Sequence, residues 1–270
     1  MDKRPIGIFD SGVGGLTVVK AVMERLSNES IIYFGDTARV PYGSKSKETV
    51  TKFSAQIIRF LQTKDVKAII IACNTVNSNC IEELRALFPG LPIEGVVEPG
   101  VRMALMATEN NKIGIIGTEA TVASGKYPQL LKAARPELEV YDRACPLFVP
   151  LVEEGWAQHK ITKEVIEEYL LPLASTGIDS LILGCTHYPM LTEQIGKVLG
   201  PSIKLINPAT EAAFNIKRLL KSTDKQSDGE VATYKFYVSD HPSRMQKMAQ
   251  IFLDYPVTQV EKVDIESYQK

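Results

Sequence analysis

Short apolar runs alternate with amphipathic segments along most of the chain. Most runs are aliphatic, as expected for strands buried on both faces of a parallel sheet, and the segments after them repeat apolar residues at helical spacing. The predicted strands are 5–9, 31–36, 69–73, 92–97, 112–117, 138–141, 180–185, 204–207, 234–238 and 257–260. The predicted helices are 16–26, 50–61, 74–88, 101–108, one opened by Thr118 that carries Tyr127, 163–173, 190–199, 208–220 and 243–252.

The alternation of strands and helices restarts near residue 98, so the second half repeats the first in kind. We predict an α/β protein with two similar doubly wound, flavodoxin-like parallel sheets and a cleft between them. The first domain is expected to contain residues 1–97 and 208–270, and the second 98–207. Loops are predicted at 146–154 and 222–230. Ligands bind at the carboxyl ends of parallel strands, so one cleft should collect the side chains found there. These are Asp10, Asp36, Cys73, Thr118 and Cys185.

Composition and charge indicate which kind of partner, a small molecule, a nucleic acid or a membrane, the protein binds. Apolar residues make up 44% and charged residues 23% of the chain, which is ordinary for a globular protein. The 31 Lys and Arg residues nearly balance the 32 Asp and Glu residues, so no basic field attracts nucleic acid or anionic membranes. The amino terminus lacks a signal-peptide core, and no apolar run approaches the ~20 residues of a membrane span. We therefore expect a cytoplasmic protein with a small-molecule partner and no nucleic-acid or membrane partner.

Two of the four cysteines end matching strands, in residues 69–75 (IIIACNT) and 181–187 (LILGCTH). A lone cysteine after a strand is most often a small core residue. Two in matching places, each at a predicted helix amino end where the dipole stabilises a thiolate, indicate function for Cys73 and Cys185. Cys80 and Cys145 lack this setting and are predicted to be core residues. The spacing of all four predicts free thiols.

Four chemistries can be considered for this pair of thiols. A disulfide redox pair usually comes from cysteines close in sequence, and zinc needs about four ligands whereas only His187 lies near a cysteine. A hydrolase using Cys185 and His187 would leave Cys73 idle. Proton transfer on opposite faces of one carbon uses both thiols, one as thiolate base and the other as thiol acid. The pair therefore favours racemisation and predicts no metal.

Four sequence blocks resemble the signature blocks of the bacterial glutamate racemase family, and the match spans nearly the whole chain. The blocks are 10–17 (DSGVGGLT), 35–43 (GDTARVPYG), 72–75 (ACNT) and 184–189 (GCTHYP). The resemblance implies cofactor-independent interconversion of L- and D-glutamate, supplying D-glutamate for peptidoglycan. It also implies a homodimer.

The resemblance also implies roles for individual residues. Cys73 would work on D-glutamate and Cys185 on L-glutamate, with Asp10, Glu153 and His187 assisting the thiols. Glu153 is chosen over the adjoining Glu154 by the resemblance alone. The implied substrate contacts are Asp10, Ser11, Pro41, Tyr42, Gly43, Asn74, Thr75, Thr118, Thr121, Thr186 and His187.

Residue chemistry fits these roles but leaves alternatives open. A thiol of pKa ~8.5 needs nearby donors or a proton acceptor to act as a base, and Asp10 or His187 could be one. Asp10 and Asp36 could instead cap helices, and His187 could be a structural cap. Residues 12–15 (GVGG) match neither a dinucleotide nor a Walker loop, and we interpret them as a tight turn that lets substrate approach closely.

Three other functions remain open from the sequence. An aspartate or hydantoin racemase would share the same chemistry and differ in the pocket for the side chain. A two-domain binding protein for an acidic amino acid would close on its ligand without turnover. Pyridoxal phosphate could also support racemisation, although no lysine stands in a recognisable motif for it.

Overall fold

The chain folds into ten strands and eleven α-helices in a computed structural model that describes residues 1–229 and 231–269. The strands are β1 (Ile6–Asp10), β2 (Ile31–Gly35), β3 (Ala68–Ile71), β4 (Ile93–Glu94), β5 (Lys112–Gly117), β6 (Glu139–Ala144), β7 (Ser180–Gly184), β8 (Lys204–Ile206), β9 (Tyr234–Val238) and β10 (Val260–Lys262). The helices are α1 (Leu16–Arg25), α2 (Lys47–Thr63), α3 (Asn74–Leu87), α4 (Val97–Ala107), α5 (Glu119–Ala123), α6 (Lys126–Ala134), α7 (Phe148–Glu153), α8 (Lys160–Ala174), α9 (Thr192–Leu199), α10 (Pro208–Ser222) and α11 (Pro242–Phe252).

Two parallel sheets form the frame. The first has the order β10-β9-β2-β1-β3-β4 and the second β6-β5-β7-β8. The first four strands of each half therefore have the same order, second-first-third-fourth, and β9 and β10 extend the first sheet at one edge. This confirms the predicted class of two similar doubly wound parallel sheets, and it places the last two strands in the first sheet.

Apolar packing joins the two halves. One core cluster runs from Ile6 and Ile8 of β1 through the buried face of α10 to Leu181 and Leu183 of β7. Helix α10 begins where the Asn207 side chain accepts a hydrogen bond from the Ala209 amide, and it packs on both α1 and α4. The carboxyl ends of the strands of the two sheets, where site residues were predicted, face each other.

One predicted element was wrong in kind, and the predicted junction between the domains is helical. The predicted loop at 146–154 contains α7, whose Pro150 lies in the first turn, where the missing amide costs no helical hydrogen bond. The segment around 98–100, predicted to separate the domains, forms the first turn of α4. Proline there is tolerated for the same reason, and the Glu98 carboxylate suits a helix amino end.

Other elements differ in their bounds. The helix opened by Thr118 is two helices, α5 and α6, because Gly125 adopts a left-handed conformation with φ of 61° between them. Strand β4 has only two residues, and the last strand occupies Val260–Lys262 instead of 257–260. The predicted loop at 222–230 extends to Glu230, which lies outside the described residues.

Within the described ranges, none of the helices is long and apolar enough to cross a membrane.

Candidate active site

A cavity of about 360 Å³ lies at the carboxyl ends of both sheets. The predicted site residues that line it are Ser11, Pro41, Tyr42, Gly43, Cys73, Asn74, Thr75, Thr118, Glu153, Cys185, Thr186 and His187. Two predicted residues, Asp10 and Thr121, are buried behind this lining. The sequence did not single out as site residues the other members of the lining, which are Gly12, Val40, Ser44, Glu119, Pro146, Val149 and Pro150.

Cys73 stands at the amino end of α3, two residues after the last residue of β3. Its thiol is buried and donates a hydrogen bond to the Ser11 hydroxyl, with Sγ 3.5 Å from Oγ. Burial, together with the nearby Asp10 carboxyl, raises the pKa of Cys73 to about 12. With the cavity open, Cys73 is therefore a thiol at neutral pH.

Cys185 belongs to a chain of contacts that starts at the end of β7. Its Sγ lies 3.8 Å from His187 Nδ1, and His187 Nε2 lies 3.0 Å from Glu153 Oε1. Burial alone lowers the pKa of His187, but hydrogen bonds to Cys185 and Glu153 outweigh it and raise the pKa to about 10. The imidazole is thus held protonated between the sulfur of Cys185 and the carboxylate of Glu153.

The structure distinguishes between the two adjoining glutamates. Glu153, on the last turn of α7, contacts His187, whereas the Glu154 side chain is 71% exposed and lies 4.0 Å from Arg244. Burial favours the neutral form of Glu153, but its hydrogen bond to His187 and the charge of Arg244 dominate and lower its pKa. The partly buried carboxylate of Glu153 therefore stays ionised beside the histidine.

Asp10 is buried behind the cavity lining and holds the glycine turn in place. Its Oδ2 accepts hydrogen bonds from the amides of Gly12 and Gly15, at 3.2 and 3.0 Å, which fixes the glycine turn after β1. Its Oδ1 is buried and has no hydrogen-bond partner within the described residues. Burial raises the pKa of Asp10, although the positive charge of His187 opposes this. Asp10 thus fixes the turn that leads into α1 without capping the helix itself, and it is a close electrostatic neighbour of the histidine.

The glycine turn is packed against protein, which corrects part of the interpretation made from the sequence. A Cβ on Gly14 would lie 2.4 Å from Thr186 Oγ1 and 2.5 Å from His187 Nδ1. Only Gly12 of this turn lines the cavity. The close approach at Gly14 therefore brings the first sheet against the Cys185 segment of the second, and it is not made for substrate.

Hydroxyl and amide groups at the amino ends of α3 and α5 form one part of the cavity lining. Thr75 Oγ1 lies 3.0 Å from Thr118 Oγ1, and Thr121 Oγ1 lies 3.0 Å from Thr118 and 3.4 Å from Thr75. Asn74 Oδ1 accepts a hydrogen bond of 2.7 Å from Tyr127, so its amide nitrogen remains available to a ligand. These groups, with the first amides of α3, can bind a carboxylate.

Residues 40–44 form another part of the cavity lining, and Asp36 holds this segment in place. The buried Asp36 carboxylate accepts hydrogen bonds from the Tyr42 hydroxyl, from Arg39 Nε at 2.7 Å and from Ser239 Oγ at 2.7 Å. Asp36 thus positions Tyr42, whose ring packs against Phe53. Asp36 was predicted to lie at this strand end, but its partners could not be predicted because Ser239 is distant in sequence.

Some lining residues and supporting contacts were missed for identifiable reasons. Val149 and Pro150 were predicted to lie in a loop, so the sequence did not indicate that their side chains line the cavity. Arg244 contacts Glu153, which lies about ninety residues away in the sequence, and no sequence motif predicts this contact. Across the described chain, no three His, Cys, Asp or Glu side chains are grouped to hold a metal ion, and all four cysteines are free thiols.

Fold and cavity together define a class: an α/β protein of two parallel sheets whose shared cleft carries a thiol from each sheet. The family model for Asp/Glu/Hydantoin racemase matches residues 10–215. Glutamate racemase of Neisseria meningitidis serogroup A is 46% identical over 264 residues, which cover 97% of each chain. Glutamate racemase of Geobacter metallireducens is 43% identical over 268 residues, 99% of each chain.

A solved structure agrees with these sequence matches. The crystal structure of glutamate racemase from Francisella tularensis in complex with D-glutamate has a TM-score of 0.93 and 41% identity, covering 99% of this chain and 100% of that one. The chain belongs to the Asp/Glu/Hydantoin racemase family, and it is an enzyme of the isomerase class.

Proposed function

We propose that the protein interconverts L- and D-glutamate without a cofactor, using Cys73 and Cys185 as the two proton-transfer groups. One observation carries the proposal: the two cysteines follow equivalent strands, β3 and β7, each third in the shared strand order, and both line one cavity. Each half of the fold thus contributes one thiol at the same topological position.

The chemistry balances without any redox partner. One cysteine, as a thiolate, takes the α-proton, so the α C–H bond breaks and an S–H bond forms. The other cysteine gives its thiol proton to the opposite face of the carbanion, so that S–H bond breaks and a new C–H bond forms. The enzyme is left with the protonation of the two thiols exchanged, and the reverse reaction uses the same groups in exchanged roles.

The surroundings of each thiol suit this exchange. The His187 imidazolium lies beside the Cys185 sulfur, and at the amino end of α3 the Val76 amide hydrogen-bonds to Cys73 and favours its charged form. The raised pKa of Cys73, about 12, makes it a strong base once its proton has been removed. Burial is the main cause of this raised pKa, and the Asp10 carboxyl beside the thiol adds to it.

The carbanion intermediate needs help from its neighbours, because charge builds next to a carboxylate. We infer that Asn74, Thr75 and Thr186 bind the α-carboxylate through hydroxyl and amide donors, and that Ser11 and Tyr42 complete the pocket. Thr118 and Gly43, which pack against each other in the cavity lining, contact the side-chain carboxylate, with Pro41 beside them. Thr121 holds Thr118 and Thr75 in position.

Glutamate is proposed because the relatives that match nearly end to end are named glutamate racemases. We further propose that the product supplies peptidoglycan synthesis, that the enzyme acts in the cytoplasm and that it is a homodimer. The free state of all four cysteines supports the cytoplasmic part of this proposal.

The test uses purified protein without added cofactor in D2O, with D- or L-glutamate as substrate. Circular dichroism follows loss of optical activity and NMR follows deuterium at the α-carbon. We expect both signals, and we expect Cys73→Ala and Cys185→Ala each to lower racemisation by at least ~10⁴-fold. Cys80→Ala is the matched control, because Cys80 is equally buried but lies outside the cavity.

Other outcomes would favour the rival functions. Turnover of aspartate in place of glutamate would indicate a different substrate within the same family. Binding of glutamate without any α-deuterium would indicate a binding protein. Full activity in either single-thiol variant would rule out the two-thiol mechanism.

A further inference from the structure

Glu153 separates two cavities, and its two oxygens face different partners. On one side it lines the substrate cavity, and on the other it lines an open cleft of about 660 Å³ along α11. Its Oε1 lies 3.0 Å from His187 Nε2, and its Oε2 lies 3.0 Å from Arg244 Nη2. Both carboxylate oxygens are therefore occupied, and rotation of the carboxylate would break one contact or the other.

Arg244 reaches this carboxylate from the other half of the molecule. It is carried by α11, which packs against β9, β10 and α1 on the first sheet. Glu153 ends α7, which follows β6 of the second sheet. Arg244 itself is absent from the described lining of the substrate cavity, so it can influence the reaction only through Glu153.

We propose that Arg244 is a positioning residue for racemisation, which fixes Glu153 against His187 so that the imidazolium stays directed at Cys185. This inference rests on the proposed function. Arg244 supplies a positive charge on the cleft side of Glu153, which keeps the carboxylate ionised and holds its second oxygen. The relay then runs from Arg244 through Glu153 and His187 to the Cys185 sulfur, over 3.0, 3.0 and 3.8 Å.

A role limited to stability does not account for this arrangement. The Arg244 side chain is 53% exposed, and an exposed ion pair contributes little to folding. Its contact with Glu154 is long, at 4.0 Å, whereas the contact with the more buried Glu153 is short. The titratable groups around His187 are Cys185, Glu153 and Asp10, and Arg244 is the basic side chain that the described structure pairs with Glu153.

The experiment compares Arg244→Gln and Arg244→Lys with the unmodified enzyme, using kcat and KM for glutamate in both directions between pH 5 and 10. Arg244→Gln removes the charge and keeps a hydrogen-bond donor, and Arg244→Lys keeps the charge. The matched control is Lys247→Gln, which removes a charge one turn further along α11 in the same cleft. Within the described chain Lys247 makes no ion pair or side-chain hydrogen bond, so it tests the effect of charge alone.

We expect Arg244→Gln to lower kcat about tenfold with KM changed less than about twofold, because the loss is in proton transfer and not in binding. Without the neighbouring cation the pKa of Glu153 rises, so the acid limb of the kcat profile should move up by roughly half a pH unit. Arg244→Lys should recover most of the activity and return the limb. Lys247→Gln should change neither quantity.

Two results would overturn the inference. One is an Arg244→Gln enzyme with unchanged kcat and an unmoved acid limb, while the unmodified enzyme racemises glutamate. The other is equal loss in Arg244→Gln, Arg244→Lys and Lys247→Gln, which would indicate a general effect of altering α11. If the unmodified enzyme fails to racemise glutamate, the proposed function fails instead, so the two failures are distinguishable.

Discussion

The pKa of His187 depends on two opposing effects, its burial and its contacts with Cys185 and Glu153. An imidazolium without partners would lose its proton on burial, and here a thiol and a carboxylate reverse that tendency. The two-residue spacing from Cys185 allowed the sequence to predict a functional histidine. Its second partner could not be predicted physically, because Glu153 and Glu154 are equivalent until α7 directs one inward and leaves the other 71% exposed.

The raised pKa of His187 predicts that the enzyme loses stability as pH rises. The ordinary value is 6.5, so below pH ~6.5 the folded and unfolded states are both protonated and the stabilisation is fully present. Above it the unfolded state releases a proton that the folded state keeps until about pH 10, so the free energy of unfolding falls with pH. Urea unfolding between pH 6.5 and 8, below the titration of unfolded thiols, should show this slope, and His187→Asn should reduce it.

An equal slope in the unmodified protein and in His187→Asn would mean that His187 titrates normally in the fold. Above pH ~8.5 the raised pKa of Cys73 acts in the same direction, because the unfolded thiol ionises first. The variant comparison must therefore be made below that pH.

At the scale of elements, the sequence predicted the strands better than the segments between them. Strand β5 and strand β9 were predicted residue for residue, because each contains a run of buried residues, 113–117 and 236–238, that ends where the strand ends. Helix α7 was predicted to be a loop because it is short and contains a proline, so neither length nor helical spacing marks it. The apolar side of the cavity and the Glu153 contact with His187 both depend on that helix.

The contact between α6 and the start of α3 carries a prediction. The buried Tyr127 hydroxyl donates to Asn74 Oδ1 and so orients an amide in the cavity. In Tyr127→Phe that oxygen is left without this donor, so we expect KM for glutamate to rise several-fold and stability to fall by ~1 kcal/mol. Steady-state kinetics and urea unfolding measure the two effects.

Tyr141→Phe is the matched control for that substitution, because its hydroxyl contacts Glu139 at the surface, away from the cavity. It should leave both KM and the free energy of unfolding unchanged. If Tyr127→Phe behaved in the same way as this control, Asn74 would not depend on the tyrosine for its orientation.

At the scale of the whole molecule, each half supplies one thiol. The final segment, residues 208–269, contacts both halves through α10 and α11. The repeated strand pattern predicted two similar sheets, because alternating strands and helices favour parallel strands joined by right-handed crossovers. It could not predict how the sheets face each other. That depends on packing such as Gly14 against His187 and α10 against α1 and α4, which joins residues far apart in the chain.

The two-sheet arrangement leads to a stereochemical prediction for single-thiol variants. The family resemblance assigns Cys185 to L-glutamate and Cys73 to D-glutamate, so Cys73→Ala should still remove the α-proton of L-glutamate without inverting it. In D2O, NMR should therefore show deuterium entering L-glutamate in Cys73→Ala and D-glutamate in Cys185→Ala, with circular dichroism unchanged. Because the two enantiomers have equal free energy, any residual kcat/KM must be equal in both directions, so only the exchange reveals the difference. Deuterium entering both enantiomers in one variant would mean that a single thiol reaches both faces, and that the second sheet's cysteine is dispensable for proton removal.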